Sequence, residues 1–356
     1  MIDESRADAP PPRRVTLSPS ETVAAAARKA IAFGAESLLR NQAASEAGEE
    51  EPLHQLRIAS RRLRASIELF AYVIYAAQLR IFRRDIAWVA HQAGACRECD
   101  VTSALLAARA AKIDPALQDS IAPILSALDQ RRNAEHAKLC EQLASKRYRG
   151  LLAKLARPAL KKVGADRTLG VVAAQLIRPA SRGASRLGGK IAGDAPALLF
   201  HRLRVRIKRL RYELEMMAPL GGKRHRRTVA RLEELQELLG LYHDTNVATA
   251  WLMSYAETSA APPRTMLAAG ALIQSLGKRE SKLRRRCMKA WKRFERSEAM
   301  RDTLEEIRQA GRLAPIPVSS PVPDTENNQS DLPNGAQIAH SNHNSIDSHL
   351  ATESIP

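Results

Sequence analysis

One stretch of the chain occurs twice, and whatever fold forms has to accommodate both copies. The first reads HQLRIASRRLR, residues 54–64, and the second HRLRVRIKRLR, residues 201–211. Each holds a His followed by Arg at +3, Arg or Lys at +7, and Arg at +8 and +10, with Leu at +2 and +9. Neither copy contains Gly or Pro, and the leucines recur at helical spacing, so both are predicted as helices. At about 100° per residue, the His and the +3, +7 and +10 positions fall within roughly 80° of one another. Those residues are His54, Arg57, Arg61 and Arg64, then His201, Arg204, Lys208 and Arg211. Leu56, Leu63 and Ile67 lie nearly opposite, as do Leu203, Leu210 and Leu214, so each helix buries an apolar stripe and presents a row of cations. Like charges at i,i+3 and i,i+4 repel by a few tenths of a kcal/mol per pair. A solvated face alternates Glu with Lys instead. Two matched rows point to an anion that relieves the repulsion.

The two copies are landmarks of a longer repeat. His201 follows His54 by 147 residues, and Gly240 follows Gly94 by 146, which aligns AGACRECDV with LGLYHDTNV. Lys292 follows Lys146 by 146, which aligns SKRYR with WKRFE. The three spacings predict a duplication of about 146 residues, with a first half at 20–164 and a second at 165–312. Ser20 is expected to cap an opening helix that ends near Asn41, and the first basic helix is expected to reach about Tyr75. A third helix over 79–93 breaks at Gly94 and resumes, and a fourth spans 121–145. The counterpart of the opening helix lies within 165–195 and is expected to be broken by Pro179 and the Gly-rich SRGASRLGGKIAGDAP.

Charge narrows the partner. The formal net charge is +18 over 356 residues, while the stretch from Leu313 onward has five acids and no Lys or Arg, and residues 1–19 balance. Setting the tail's five acids aside leaves +23 on residues 20–312, which calls for a polyanion: nucleic acid, an anionic membrane or an inorganic chain. Residues 1–19 and 313–356 are polar, Pro-rich or Ser/Asn-rich and are expected to be disordered. Four Cys make no disulfide framework, the N-terminus has no apolar leader, and no run of about 18 apolar residues exists. A cytoplasmic setting and no membrane partner are expected. The fold class is all-α, packed through Ala and Leu, with 4% aromatic residues.

The paired motifs resemble those of the CHAD domain, a family named for conserved histidines in an all-helical fold. HxLRxxxRRLR begins here at His54 and HxLRxxxKRLRY at His201, and Leu239, Gly240, His243 and Asp244 are similar to its LGxxxD element. AGACRECDV departs from that element by carrying Glu98. The resemblance spans about residues 20–310. It implies two four-helix bundles related by pseudo-twofold symmetry, with a basic channel between them that binds inorganic polyphosphate without catalysis. Many relatives carry an upstream triphosphate-tunnel domain marked by ExExK, and no ExExK occurs in this sequence.

Polyphosphate has one charge per phosphate and no bases, so its binder needs closely spaced Arg and Lys rather than aromatic platforms. Most of the affinity is expected from Arg57, Arg61, Arg64, Arg204, Lys208 and Arg211, with His54 and His201 donating to phosphate. Arg62 and Arg209 are expected at the groove edge. The third helices offer Arg80, Arg83 and Arg84, then Arg226, Arg227 and Arg231; the fourth offer Arg132, His136 and Lys146, then Lys278, Lys282 and Lys292. Glu98 and Asp244 are expected to orient arginines of the basic helices as buried partners. A metal at either His is disfavoured, because Arg57 and Arg204 occupy the i+3 places and repel cations. Cys96 and Cys99 form a lone CxxC and are expected to pack. Tyr212 shares the His201 face. Nothing implies a cofactor, a metal or a catalytic group. The competing readings are a nonspecific nucleic-acid binder and a subunit that delivers polyphosphate to a metabolising enzyme. A location on polyphosphate granules follows from the first reading.

Overall fold

A computed structural model of the chain describes residues 15–162 and 165–313; the terminal segments expected to be disordered lie outside them, save 15–19 and Leu313. The regular elements among the described residues are helices, joined by short connections that form two isolated β-bridges, Thr22 with Thr168 and Ile74 with Leu160. The order is α1 (Val23–Glu46), α2 (Glu50–Leu69), α3 (Ala76–Ala110), α4 (Pro115–Gln118), α5 (Ala122–Ala144), α6 (Lys146–Ala156), α7 (Leu169–Gly188), α8 (Ala197–Met216), α9 (Lys223–Thr258), α10 (Pro263–Arg296) and α11 (Ala299–Leu313). Leu17 is buried in the core, so packing begins before residue 20, and Thr22 rather than Ser20 caps α1, its Oγ1 accepting from Ala25 N at 3.2 Å.

Burial repeats along the chain in the spacing the motifs suggested. Val23, Ala27, Ile31 and Leu38 of α1 recur 146 residues on as Leu169, Ala173, Ile177 and Ala184 of α7, all buried. Leu53, Leu56 and Leu63 of α2 recur 147 on as Phe200, Leu203 and Leu210. Ile86, Val89, Ala93 and Cys96 of α3 recur 146 on as Leu232, Leu235, Leu239 and Tyr242 of α9. The third spacing fails. Lys146 opens α6, whereas Lys292 lies inside α10, and the α6 counterpart α11 starts only at Ala299. The longer α10 absorbs the extra residues.

Contacts between the repeats are reciprocal. Val23 N donates to Arg167 O and Leu169 N to Glu21 O, each at 2.9 Å. Where α2 meets α8, Arg62 lies 3.7 Å from Glu215 and Arg209 lies 3.6 Å from Glu68, so each arginine meets the glutamate at the matching place in the other repeat.

The cores do not divide at residue 164. The largest joins the second repeat to the first turns of α1 and to Ala65, Leu69 and Phe70. A second fills the first repeat. A third, with Leu106, Ile124 and Leu128 beside Ala248, Leu252, Leu272 and Leu276, ties together the far ends of α3, α5, α9 and α10. The 35-residue α3 and 36-residue α9 explain this. At about 1.5 Å per residue each runs some 50 Å, too long for one four-helix core to cover.

Two expected breaks are absent. Gly94 sits within α3, and α7 runs unbroken through Pro179 to Gly188. Pro179 and Gln175, whose carbonyl the proline leaves without its usual partner, are both exposed, so water can satisfy it. The glycines of α7 serve packing. A Cβ on Gly188 would overlap the buried Trp291 ring, and one on Gly170 would lie 3.1–3.3 Å from the Pro19 and Gly311 backbones. Gly188→Ala is expected to cost about 2–3 kcal/mol, because the indole has no free volume to enter. Thermal unfolding measures it; an unchanged Tm would show that α10 yields.

Candidate anion site between the repeated helices

Arg57 and Arg61 of α2 face Arg204 and Lys208 of α8 across the helix contact. Arg57 and Arg204 are 147 residues apart, as are Arg61 and Lys208, so the two rows present equivalent places to each other. The cost of this arrangement shows in every group. Burial, followed by Arg61, Arg204 and Arg97, brings Arg57 down to about 9. Burial, then Arg61, Arg204 and Arg57, pushes the Lys208 ammonium down to about 5. Arg61 and Arg204 are lowered as well, chiefly by burial. Asp244 is the only carboxylate, among the described residues, whose charge offsets all four. Its Oδ1 lies 3.9 Å from Arg204 Nη2. Arg204 is 8% exposed, and the buried Nε atoms of Arg57 and Arg204 have no hydrogen-bond partner among the described residues. Buried donors are normally satisfied, so these two are open positions for an acceptor.

Histidines flank the cluster. His201 Nδ1 lies 3.2 Å from Nδ1 of His243 on α9, and burial plus the neighbouring cations lower both rings, His243 to about 3. His54, one turn before Arg57, is half-buried.

The remaining expected residues divide in two. Several are engaged by other protein groups, Arg83 and Arg84 at the surface. Arg62 and Arg209 face carboxylates of the opposite repeat, and Arg209 Nε also donates to Glu213 at 2.6 Å. Arg211 is buried against Glu215 at 3.0 Å and Glu233 at 2.7 Å, and stacks 5.0 Å from the centroid of Tyr212. Arg83 pairs with Glu68 at 2.7 Å and Arg84 with Asp85 at 2.7 Å. Arg132 pairs with Asp100 at 2.7 Å, and His136 Nε2 bonds the Ser45 carbonyl at 2.9 Å. Asp85, Glu213 and Glu215 lie on the same helix as Arg84, Arg209 and Arg211, whereas Glu68, Glu233 and Asp100 come from other helices, and sequence spacing does not show those. The others, Arg64, Arg80, Lys146, Arg226, Arg227, Arg231, Lys278, Lys282 and Lys292, are exposed, and none is among the charges acting on the four-residue cluster.

Asp244 partners Arg204 as expected, but Glu98 does not serve the first basic helix; it meets Arg131 at 3.6 Å near the surface. Cys96 and Cys99 are buried in helix packing, and burial pushes the Cys96 thiol up to about 12. The residues missed were His243 and Arg97. The aligned LGLYHDTNV and AGACRECDV segments place one above the other, and a basic residue before the acid in both was the available signal.

A family model for the CHAD domain matches residues 29–253. The chain belongs to the CHAD domain family. The crystal structure of the CHAD domain from the plant Ricinus communis is similar, with a TM-score of 0.61 and 25% identity, covering 86% of this chain and 98% of that one. PptA from Streptomyces chartreusis has a TM-score of 0.62 at 18% identity, covering 76% of this chain and all of its own, a likeness of fold. No curated protein matches the chain. No helix among the described residues is long and apolar enough to cross a membrane.

Proposed function

We propose that this CHAD domain binds inorganic polyphosphate at the cluster of Arg57, Arg61, Arg204 and Lys208, as a binding module without turnover. One observation carries the reading: four half-buried or buried basic side chains converge from equivalent repeat positions with a single compensating carboxylate, Asp244, among the described residues. An ordinary core would not keep such a cluster, since each buried charge is costly unless paired. A polyanion supplies the missing pairs, and Arg places bidentate donors on successive phosphates. The reciprocal contacts at Arg62 and Arg209 support a pseudo-twofold relation between two helical bundles, with the cluster on a basic channel between them. Affinity for the polymer would carry the protein to polyphosphate granules, beside the enzymes that make or degrade it.

A nonspecific nucleic-acid reading has one observation in its favour. Arg285, Lys289, Lys292, Arg293 and Arg296 form an open, exposed cationic groove along α10. Competition separates the two. At matched phosphate concentration and about 0.15 M salt, long-chain polyphosphate is expected to displace a labelled polyphosphate at least tenfold more effectively than duplex DNA does. Equal displacement would favour the α10 groove and a general polyanion binder.

A further inference from the structure

The second flank of the cluster carries a pair of rings that the cation row does not explain. His243 stands where Arg97 stands in the first repeat. Its ring centroid lies 4.6 Å from that of His201, and the facing Nδ1 atoms are 3.2 Å apart. Such a contact needs one proton between the two nitrogens, because two opposed N–H groups would repel. The neutral pair therefore has one ring protonated at Nδ1 and the other at Nε2. Neither Nε2 bonds a described residue, so together they offer one donor and one acceptor.

The charges around the pair come from α2, α8 and α9, with α10 behind them. Arg61 approaches from α2, Arg204 and Lys208 from α8, and Asp244 adjoins on α9, with Arg279 of α10 beyond it. Without a bound anion, burial first and then the neighbouring charges lower both rings, so the pair holds a proton weakly. A phosphate oxygen reverses the balance. It offsets the cations, and it is repelled by the Nε2 lone pair of the neutral pair.

We propose that His243 is an anion-binding residue, and that His201 and His243 together take up one proton from solvent as a phosphate docks. The proton adds to the bare Nε2. The Nδ1–H···Nδ1 bridge stays, and the pair becomes imidazolium–imidazole with two Nε2–H donors. Arg97, in the equivalent place, carries a permanent charge and sits 3.7 Å from both Glu50 and Asp100. One flank of the site is thus fixed in charge and the other titrates. This inference rests on the oxyanion reading of the cluster.

The sign follows from linkage. The empty pair binds a proton weakly and the occupied pair binds it near or above the ordinary imidazole range, about 6.5. Binding therefore tightens as pH falls through that range. Lys208 also regains a proton on binding, but an ion-paired ammonium is fully charged well above pH 7, so its uptake is complete by about pH 8.5.

Isothermal titration of long-chain polyphosphate, in buffers of contrasting protonation heat, counts the protons. Long chains keep the titrating terminal phosphates to a small fraction. For the wild type, uptake is expected to rise by about one proton between about pH 8.5 and about pH 6. His243→Asn removes that rise, and His243→Arg, which installs the first repeat's residue, removes it while binding at high pH at least as tightly as wild type. Imidazole ¹⁵N shifts of the wild type alone provide a second readout: two neutral rings when free, one imidazolium character when bound, near pH 6. A rise of equal size in His243→Asn, or neutral rings in the bound wild type, overturns the proposal. Absence of any binding heat in the wild type overturns the oxyanion reading beneath it.

Discussion

Reversing Arg61 and Lys208 together (R61E/K208E) is expected to abolish polyphosphate binding while far-UV circular dichroism stays native. The two residues are the same repeat position on α2 and α8, and Arg61 acts on Lys208 across the contact. Folding tolerates the change because each new carboxylate lands beside Arg57 and Arg204, whose buried Nε atoms have no hydrogen-bond partner. Binding does not tolerate it. Removing one partner of a desolvated charge contact costs about 2–5 kcal/mol, and here two contacts are lost and two repulsions added, so affinity falls beyond roughly 10³-fold. The salt dependence flattens as well, since fewer counterions are released. Anisotropy with labelled polyphosphate measures both. Affinity within about tenfold of wild type would move the site to the α10 groove.

Lys208→Met is expected to raise the thermal stability of the free protein and to weaken binding together. Met fills a similar volume without a charge, and replacing buried ions by apolar groups stabilises by about 1–4 kcal/mol. For a domain of this size that is a rise of roughly 2–8 °C in Tm. The pH dependence supplies a check on cause. In the folded protein Lys208 is pushed down to about 5, against about 10.4 in the unfolded chain. The unfolded state therefore binds the extra proton, and this group makes stability climb with pH between about 5 and about 10. The climb should shrink in Lys208→Met. Saturating polyphosphate raises the wild-type Tm by mass action and should raise the variant's far less. A variant that is less stable at every pH, with binding intact, would mean Lys208 is a packing residue.

These expectations also mark how far the linear chain is readable. Val23, Leu53 and Ile86 are buried together with their partners 146 or 147 residues later because helical periodicity is a local property, and a repeat copies it. The cations that matter most follow from the same periodicity, since Arg57, Arg61, Arg204 and Lys208 lie nearest the facing meridian. Their neighbours were not readable. Residues +8 and +10 lie about 80° to either side of the His. Arg62 and Arg209 turn to carboxylates of the opposite repeat, Arg64 faces solvent, and Arg211 is buried with Glu215 and Glu233.

Glu215 at i+4 from Arg211 is legible in the spacing, but Glu215 opposite Arg62, Glu68 opposite Arg209 and Glu233 beside Arg211 stand on other helices, and packing alone brings them there. Glycine behaves likewise. Gly188 looks like a helix breaker until Trp291 is seen lying on it. The sequence by itself determined the helices, their duplication and the two cationic rows, because each depends on spacing within one segment. Tertiary structure decided which charges stay uncompensated and that His243 meets His201, because compensation is a matter of distance in space between residues far apart in the chain.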